Sequence, residues 1–381
     1  MLRRFPILLF TLLGAFAMPA LAQTQTQPSR PNTCTQFMPL GKLYYGQGLI
    51  DQAYLAFRSC VVLEPRNTEA LHALARTETR LKLFSAAVEH LKTCIGTDAK
   101  YWRCYVTLAD TYRLQWRGSS DRSKLQALLD EALKVLDDAD RVATTNEAKA
   151  AIANARGTIY KDRGDIQKAI DNFERAVALS PNEVNPMFNL GALYFSANKL
   201  SKAVEVLKRA VNLAPQDAEV RAYLARSYRE RNEKGDLDLA SDQATQAYNL
   251  CGASKCKNSF VIGQYGTVLF VQNNLNLARP ILEQAVKADT SNIYHENFYN
   301  LGRVYMQLGR AKDAKFQFSK AVLLDVENQL YWFWLGQANE ANGEKDEACK
   351  AYAKAVTIAG GAGQYKEAEK ATTALKCPAP K

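Results

Sequence analysis

A spacing that returns along this chain constrains its fold more than any other feature. Between Asn185 and Pro215 stand Leu190-Gly191, Tyr194, Ala203, Leu207, Ala210 and Pro215. Thirty-four residues earlier, the same offsets carry Arg156-Gly157, Tyr160, Ala169, Phe173, Ala176 and Pro181. Near the N-terminus they carry Leu40-Gly41, Tyr44, Gly48, Ala53, Phe57, Cys60 and Pro65. A fixed period of this length marks an array of small supersecondary units. The residue types suit two antiparallel helices. Gly or Ala lets the axes approach, and aromatic and leucine side chains fill the space that remains. Proline closes the second helix, because it lacks an N–H and disfavours a helical residue before it. One pair leaves an apolar stripe uncovered, so the units must stack.

Six further copies keep the phase, through Leu74-Ala75, Leu108-Ala109, Leu224-Ala225, Tyr265-Gly266, Leu301-Gly302 and Leu335-Gly336. Each is followed by the small and bulky residues of a second helix, for example Ala314, Phe318 and Ala321. Units start at 34, 68, 102, 150, 184, 218, 259, 295 and 329. The pattern resembles the tetratricopeptide repeat family over nearly the whole chain. That resemblance implies an all-α, right-handed α-solenoid of nine helix pairs over residues 34–362, with a capping helix and tail over 363–381. Abundant Ala, Leu, Lys, Glu and Gln agree with an all-helical chain. Four departures are visible. Glu78 and Asn339 replace the usual Tyr, which predicts looser packing there. Pro280 is expected within about the first turn of a second helix, where a lost donor matters least. The insertion over 113–131 is expected to lengthen the turn inside unit three, with Trp116 as a contact residue or a local anchor.

The N-terminal segment carries Arg3 and Arg4, an apolar run from Pro6 to Leu21, and Ala20-Leu21-Ala22 before Gln23. This is the pattern of a signal peptide over residues 1–22, cleaved after Ala22. An uncleaved anchor is the alternative, but the run falls short of the ~20 residues a spanning helix needs. Residues 23–33 read as a flexible leader. The expected mature chain has 359 residues (381 minus 22), carries no transmembrane anchor and resides in a periplasm or outside the cell. Its formal charge falls from +10 to +8 when Arg3 and Arg4 leave (10 minus 2), and its basic residues are scattered.

Eight cysteines in an exported chain suggest bridges, and eight allow ~105 pairings. The register implied by the resemblance selects Cys34 with Cys60, Cys94 with Cys104, Cys251 with Cys256, and Cys349 with Cys377. Buried free thiols are the alternative, since Cys60 and Cys94 occupy positions usually held by Ala. His72, His90 and His295 are isolated, so no metal site is expected. His295-Glu296 lacks the second histidine of a zincin helix, and no phosphate loop or nucleophile elbow is present. The reading is a chain without catalytic residues and without a cofactor.

The resemblance also implies that the first helix of each unit lines a concave groove. On that register the groove candidates are Arg76, Arg80, Arg103, Asp110, Arg113, Phe188, Asn189, Phe195, Tyr223, Arg226, Arg229, Phe260, Phe270, Asn300, Arg303, Phe333 and Trp334. Several of the rings have an alternative place in packing against neighbouring helices. Trp332 is expected in the core of its cluster. The Lys/Asn/Arg carboxylate clamp of some family members is not matched: Asn189 fits, but Thr158 and Glu219 do not. Rings interleaved with arginines suit an extended peptide or loop. Other proteins of an envelope assembly are the expected partners. An anionic polysaccharide or cell-wall polymer is the alternative, and export argues against nucleic acid.

Overall fold

The computed structural model describes residues 32–121, 126–361 and 363–378. The expected signal, most of the leader, part of the insertion and the last three residues lie outside them. Among the described residues there is no strand. Helices come in antiparallel pairs: α1 Cys34–Gly46 with α2 Ile50–Leu63, α3 Thr68–Arg80 with α4 Phe84–Thr97, and α5 Trp102–Arg117 with α6 Gln126–Val142. Next are α7 Asn146–Arg163 with α8 Ile166–Leu179, α9 Val184–Ser196 with α10 Leu200–Leu213, and α11 Ala218–Arg231 with α12 Asp236–Leu250. The last three pairs are α13 Ser259–Val271 with α14 Leu275–Ala288, α15 His295–Gln307 with α16 Ala311–Leu324, and α17 Gln329–Ala341 with α18 Lys345–Ile358. A final helix, α19 Lys366–Ala374, packs on α18.

Local chemistry sets these boundaries. Asn67, Asp217, Asn258 and Asn328 each stand just before a first helix and accept from its free N–H groups. Such a cap is worth ~1 kcal/mol. The turn between paired helices needs a left-handed residue, and it recurs at the fifteenth position of eight units. Gly48, Lys82, Gly164, Asn198, Asn232, Asn273, Gly309 and Gly343 have φ between 55° and 84°. Glycine and asparagine reach that region readily, so Lys82 is the strained member of the series.

Inside six of the pairs, a glycine of the first helix faces a large residue of the second. A methyl group on Gly41 would lie 2.5 Å from the Phe57 ring, and one on Gly302 would lie 2.6 Å from Phe318. Both rings are buried. Neighbouring units are sewn together by polar contacts as well. The Tyr305 hydroxyl donates to Glu283 of the preceding unit at 2.8 Å, and Tyr194 makes the equivalent bond to Glu174. Burial and that carboxylate push the Tyr305 phenol up to about 12.

First helices of successive units touch one another from α3–α5 through α15–α17, and second helices do not pack to that extent among the described residues. The layer whose members lie closer is the inner one, so the first helices form the concave side.

The cysteines meet as four pairs: Cys34 with Cys60, Cys94 with Cys104, Cys251 with Cys256, and Cys349 with Cys377. Their Cα separations are 4.3, 6.4, 5.0 and 5.5 Å respectively. The last pair ties α19 to the array. Each such bridge stabilises by ~2–4 kcal/mol.

Several expectations are corrected. Helix α7 starts four residues ahead of the register position 150, at Asn146, capped by Thr145. The insertion does more than lengthen a turn: α5 has 16 residues, α6 has 17 and α7 has 18, so helix absorbs much of it. Trp116 is buried with Leu129 and Ala132, which makes it a local anchor. Pro280 is the sixth residue of α14, past the first turn, and removes the N–H that would reach the Asn276 carbonyl. Unit two is not loose: Glu78 is buried and accepts from His90 Nδ1 at 2.8 Å. In unit nine Tyr352 is fully buried against Gly336, while the buried Asn339 leaves its Oδ1 without a hydrogen bond. Tyr331, rather than Trp332, is the buried residue of its cluster. Trp332 stays half-buried because its indole N–H donates to the Val326 carbonyl at 2.8 Å.

Candidate binding groove

Five consecutive first helices, α1 to α9, line one cavity of about 630 Å³. Tyr45 comes from α1, Arg76 and Arg80 from α3, Arg113 from α5, Asn154 and Thr158 from α7, and Phe188 and Asn189 from α9. They share a face because each sits on the side of its helix turned from the paired helix. Asn189 donates from Nδ2 to Asn154 Oδ1 at 2.9 Å. That bond uses one donor and one acceptor, leaving the Asn189 oxygen and the Asn154 amide protons to face the groove. Arg113 is largely spoken for. Its side chain is 12% exposed and donates to Asp110 at 2.7 Å and Asp162 at 3.0 Å.

A second cavity of about 270 Å³ adjoins the first and is walled by Tyr45, Phe57, Tyr101, Arg76, Arg103 and Lys42. His72 forms its floor, 8% exposed, with Nε2 at 2.9 Å from Thr107 Oγ1. Burial lowers this imidazole to about 4, and the charges of Arg76 and Arg103 push the same way. It is therefore neutral at ordinary pH.

Units five to nine are different in character. Phe188 meets Tyr223 edge-on at 4.9 Å, Tyr223 meets Phe260 at 4.6 Å, and Phe260 meets Tyr294 at 5.8 Å. Arg226 lies 4.6 Å above Phe195 and pairs with Glu296. Arg229 donates to Gln264 and Glu230, both at 2.8 Å. Arg303 is enclosed by Phe270 at 4.7 Å, Trp334 at 5.3 Å and Tyr299 at 5.6 Å. Phe333 and Trp334 are half-buried against each other, and Phe333 also meets Tyr365 beside the cap.

Three groove candidates are corrected. Phe260 and Phe270 are 3% and 5% exposed, and Asn300 is 9% exposed with its amide donated to Thr267 at 2.9 Å. The cause is α13, apolar on every side and wedged between α11 and α15, with eleven of its thirteen residues buried. These three build the wall instead of lining it. Sequence reasoning also passed over Tyr45, Tyr101 and Lys42. Tyr45 follows the repeat's Tyr44 by one residue, so register alone places it one step around the helix toward the groove.

The fold defines the class: stacked helix hairpins whose first helices form the inner layer, five of them lining a shared groove. Profiles described as tetratricopeptide repeat match residues 161–227 and 299–364. The chain belongs to the tetratricopeptide repeat family. Among solved structures it is similar to a thermophilic tetratricopeptide protein of Thermus thermophilus, at 30% identity, covering 51% of this chain and 98% of that one, with a TM-score of 0.48. It is also similar to the Cut9-Hcn1 hetero-tetramer of the APC/C, at 13% identity over 90% of this chain and 87% of that one, with a TM-score of 0.54. YrrB, described as a tetratricopeptide protein with an unusual peptide-binding site, shares 21% identity over 54% of this chain and all of its own, with a TM-score of 0.38. No curated protein matches the sequence.

Proposed function

We propose that this chain is a non-enzymatic scaffold, exported to the cell envelope, that holds extended segments of partner proteins along its inner helices. The observation that carries this reading is the groove shared by α1 to α9, with amide edges at Asn154 and Asn189 beside the Phe188 ring. An amide with a free oxygen and free N–H groups complements a peptide unit, and a ring adds contact area at low entropy cost. Proteins of this family are protein-binding scaffolds, which supports the class of partner. Export is supported by the apolar run behind Arg3 and Arg4 and by the paired cysteines, which belong to an oxidising compartment. Of the groove arginines that would serve an anionic polymer, Arg226 and Arg229 already have partners within the chain.

A photo-crosslinking residue at Phe188 tests the groove, with one at the exposed Lys208 of α10 as the outer-face control. Protein adducts from position 188 and not from 208 are expected in envelope fractions. Equal yields, or none at 188, would refute the groove. Export is tested separately by N-terminal sequencing: the mature chain should begin at Gln23, and a chain retaining the apolar segment overturns that part.

A further inference from the structure

We infer that the N-terminal end of the groove, at Arg76, Arg80 and Tyr45, docks acidic side chains of the bound protein segment. This deepens the groove reading and rests on it. The basis is an imbalance of charge along the inner face. Arg103 pairs with Glu147 at 2.6 Å, Arg113 with two aspartates, Arg226 with Glu296 and Arg229 with Glu230. Arg303 is held among three rings instead, and Arg76 and Arg80 break the series as an exposed pair. Both are exposed, and neither has a carboxylate partner among the described residues. Their guanidinium carbons lie 5.1 and 5.2 Å from the Tyr45 ring centre. A ring face orients a guanidinium without cancelling its charge.

The two arginines stand at i and i+4 on α3, where like charges repel. A carboxylate between them relieves that repulsion and meets fork-shaped donors suited to its geometry. The carboxylates lining the same cavities are engaged elsewhere, Asp110 by Arg113 at 2.7 Å. Lys42 and Glu69 cancel each other at 2.7 Å, and His72 is occupied by Thr107. The adjoining 270 Å³ cavity has room for a side chain, and the larger groove continues toward the Asn154–Asn189 amides. Amide edges next to a cationic pocket favour a polypeptide over a sugar polymer.

Selection from a display library of short random peptides tests this with the mature chain. Peptides captured by the wild-type protein should be enriched several-fold in Asp and Glu. The double variant Arg76→Gln with Arg80→Gln should lose that enrichment while still selecting peptides. Arg76→Lys with Arg80→Lys, which keeps the charge but not the fork, should fall between. The outer-face control Lys208→Gln with Arg209→Gln should behave as wild type. For one selected peptide, Glu→Gln replacement should weaken binding about tenfold, the scale of one charge-assisted contact. Selections without acidic bias, or with a bias that survives both Arg76/Arg80 double variants, overturn the inference and leave the groove reading intact. No selected peptide at all sinks both. Retention on polygalacturonate that needs these arginines, without acidic bias among peptides, assigns them to a polysaccharide and overturns the inference.

Discussion

His72 makes the stability of units one to three depend on pH, and the size of the effect follows from its surroundings. The folded imidazole is held at about 4 against an ordinary 6.5, by burial first and then by Arg76 and Arg103. The unfolded chain therefore binds a proton that the folded chain refuses. The contribution is fully present above pH 6.5 and drains away as pH falls from 6.5 toward 4. A shift of this size amounts to ~3.4 kcal/mol, of which ~2.5 kcal/mol is lost by pH 4.5. His72→Gln keeps a hydrogen-bonding group for Thr107 and cannot titrate. The assay is amide hydrogen exchange over α3, which reports local opening. Corrected for intrinsic rates, wild-type protection relative to the variant should fall by a factor of about 70 between pH 7.5 and 4.5. His90 titrates in the opposite sense: Glu78 raises it, so its contribution holds below 6.5 and is lost as pH rises through the raised value. It is common to both proteins and cancels in the ratio. Parallel pH profiles for wild type and variant would refute the reasoning.

Other outcomes follow from the packing. Gly302→Ala places a methyl against the buried Phe318 ring and should lower stability by ~1–3 kcal/mol in urea titrations; an unchanged midpoint contradicts the close approach. Lys82→Gly relieves a left-handed residue at φ 62° and should stabilise by ~0.5–1 kcal/mol, seen as a higher thermal midpoint. Cys349→Ser with Cys377→Ser should leave α1 to α17 intact by circular dichroism while exchange over α19 accelerates; equal protection of α19 means that the bridge does not hold the cap.

Much of the helix order was legible in the sequence because its signals are local. Gly or Ala facing Phe, Leu or Tyr fixes the phase of most pairs, and an Asn or Asp cap marks the start of four of the nine first helices described. The early start of α7 escaped because phase was read from Gly157 and Tyr160, whereas the start is set by Thr145, which caps a further turn over Asn146-Glu147-Ala148-Lys149. The groove was legible only in part. Register placed Phe188, Asn189 and Arg76 on the inner face, but burial at Phe260 and Phe270 depends on how apolar both neighbouring helices are. Ion pairing was the least readable layer. Arg113 and Asp162 are 49 residues apart, and Arg226 and Glu296 are 70 apart, so no motif announces either pair.

Those long-range pairs bear on how the groove works. In an array of stacked units, stability is carried by contacts between nearest neighbours, so one unit can shift without the next but one following. Arg226 departs from that rule: it joins α11 to α15 and passes over α13, linking units six and eight directly. The ladder from Phe188 through Tyr223 and Phe260 to Tyr294 runs along the same stretch. Units six and eight are thus coupled past unit seven, and the ring ladder ties unit five to them through its neighbour. At the N-terminal end Arg76 and Arg80 meet only the ring face of Tyr45 in unit one and hold no carboxylate among the described residues. Arginines that set helix spacing cannot also yield to a ligand without loosening the array, whereas Arg76 and Arg80 can take up a carboxylate without breaking an ion pair. The division of labour therefore follows from which guanidinium groups are already bonded, not from where arginine occurs in the repeat.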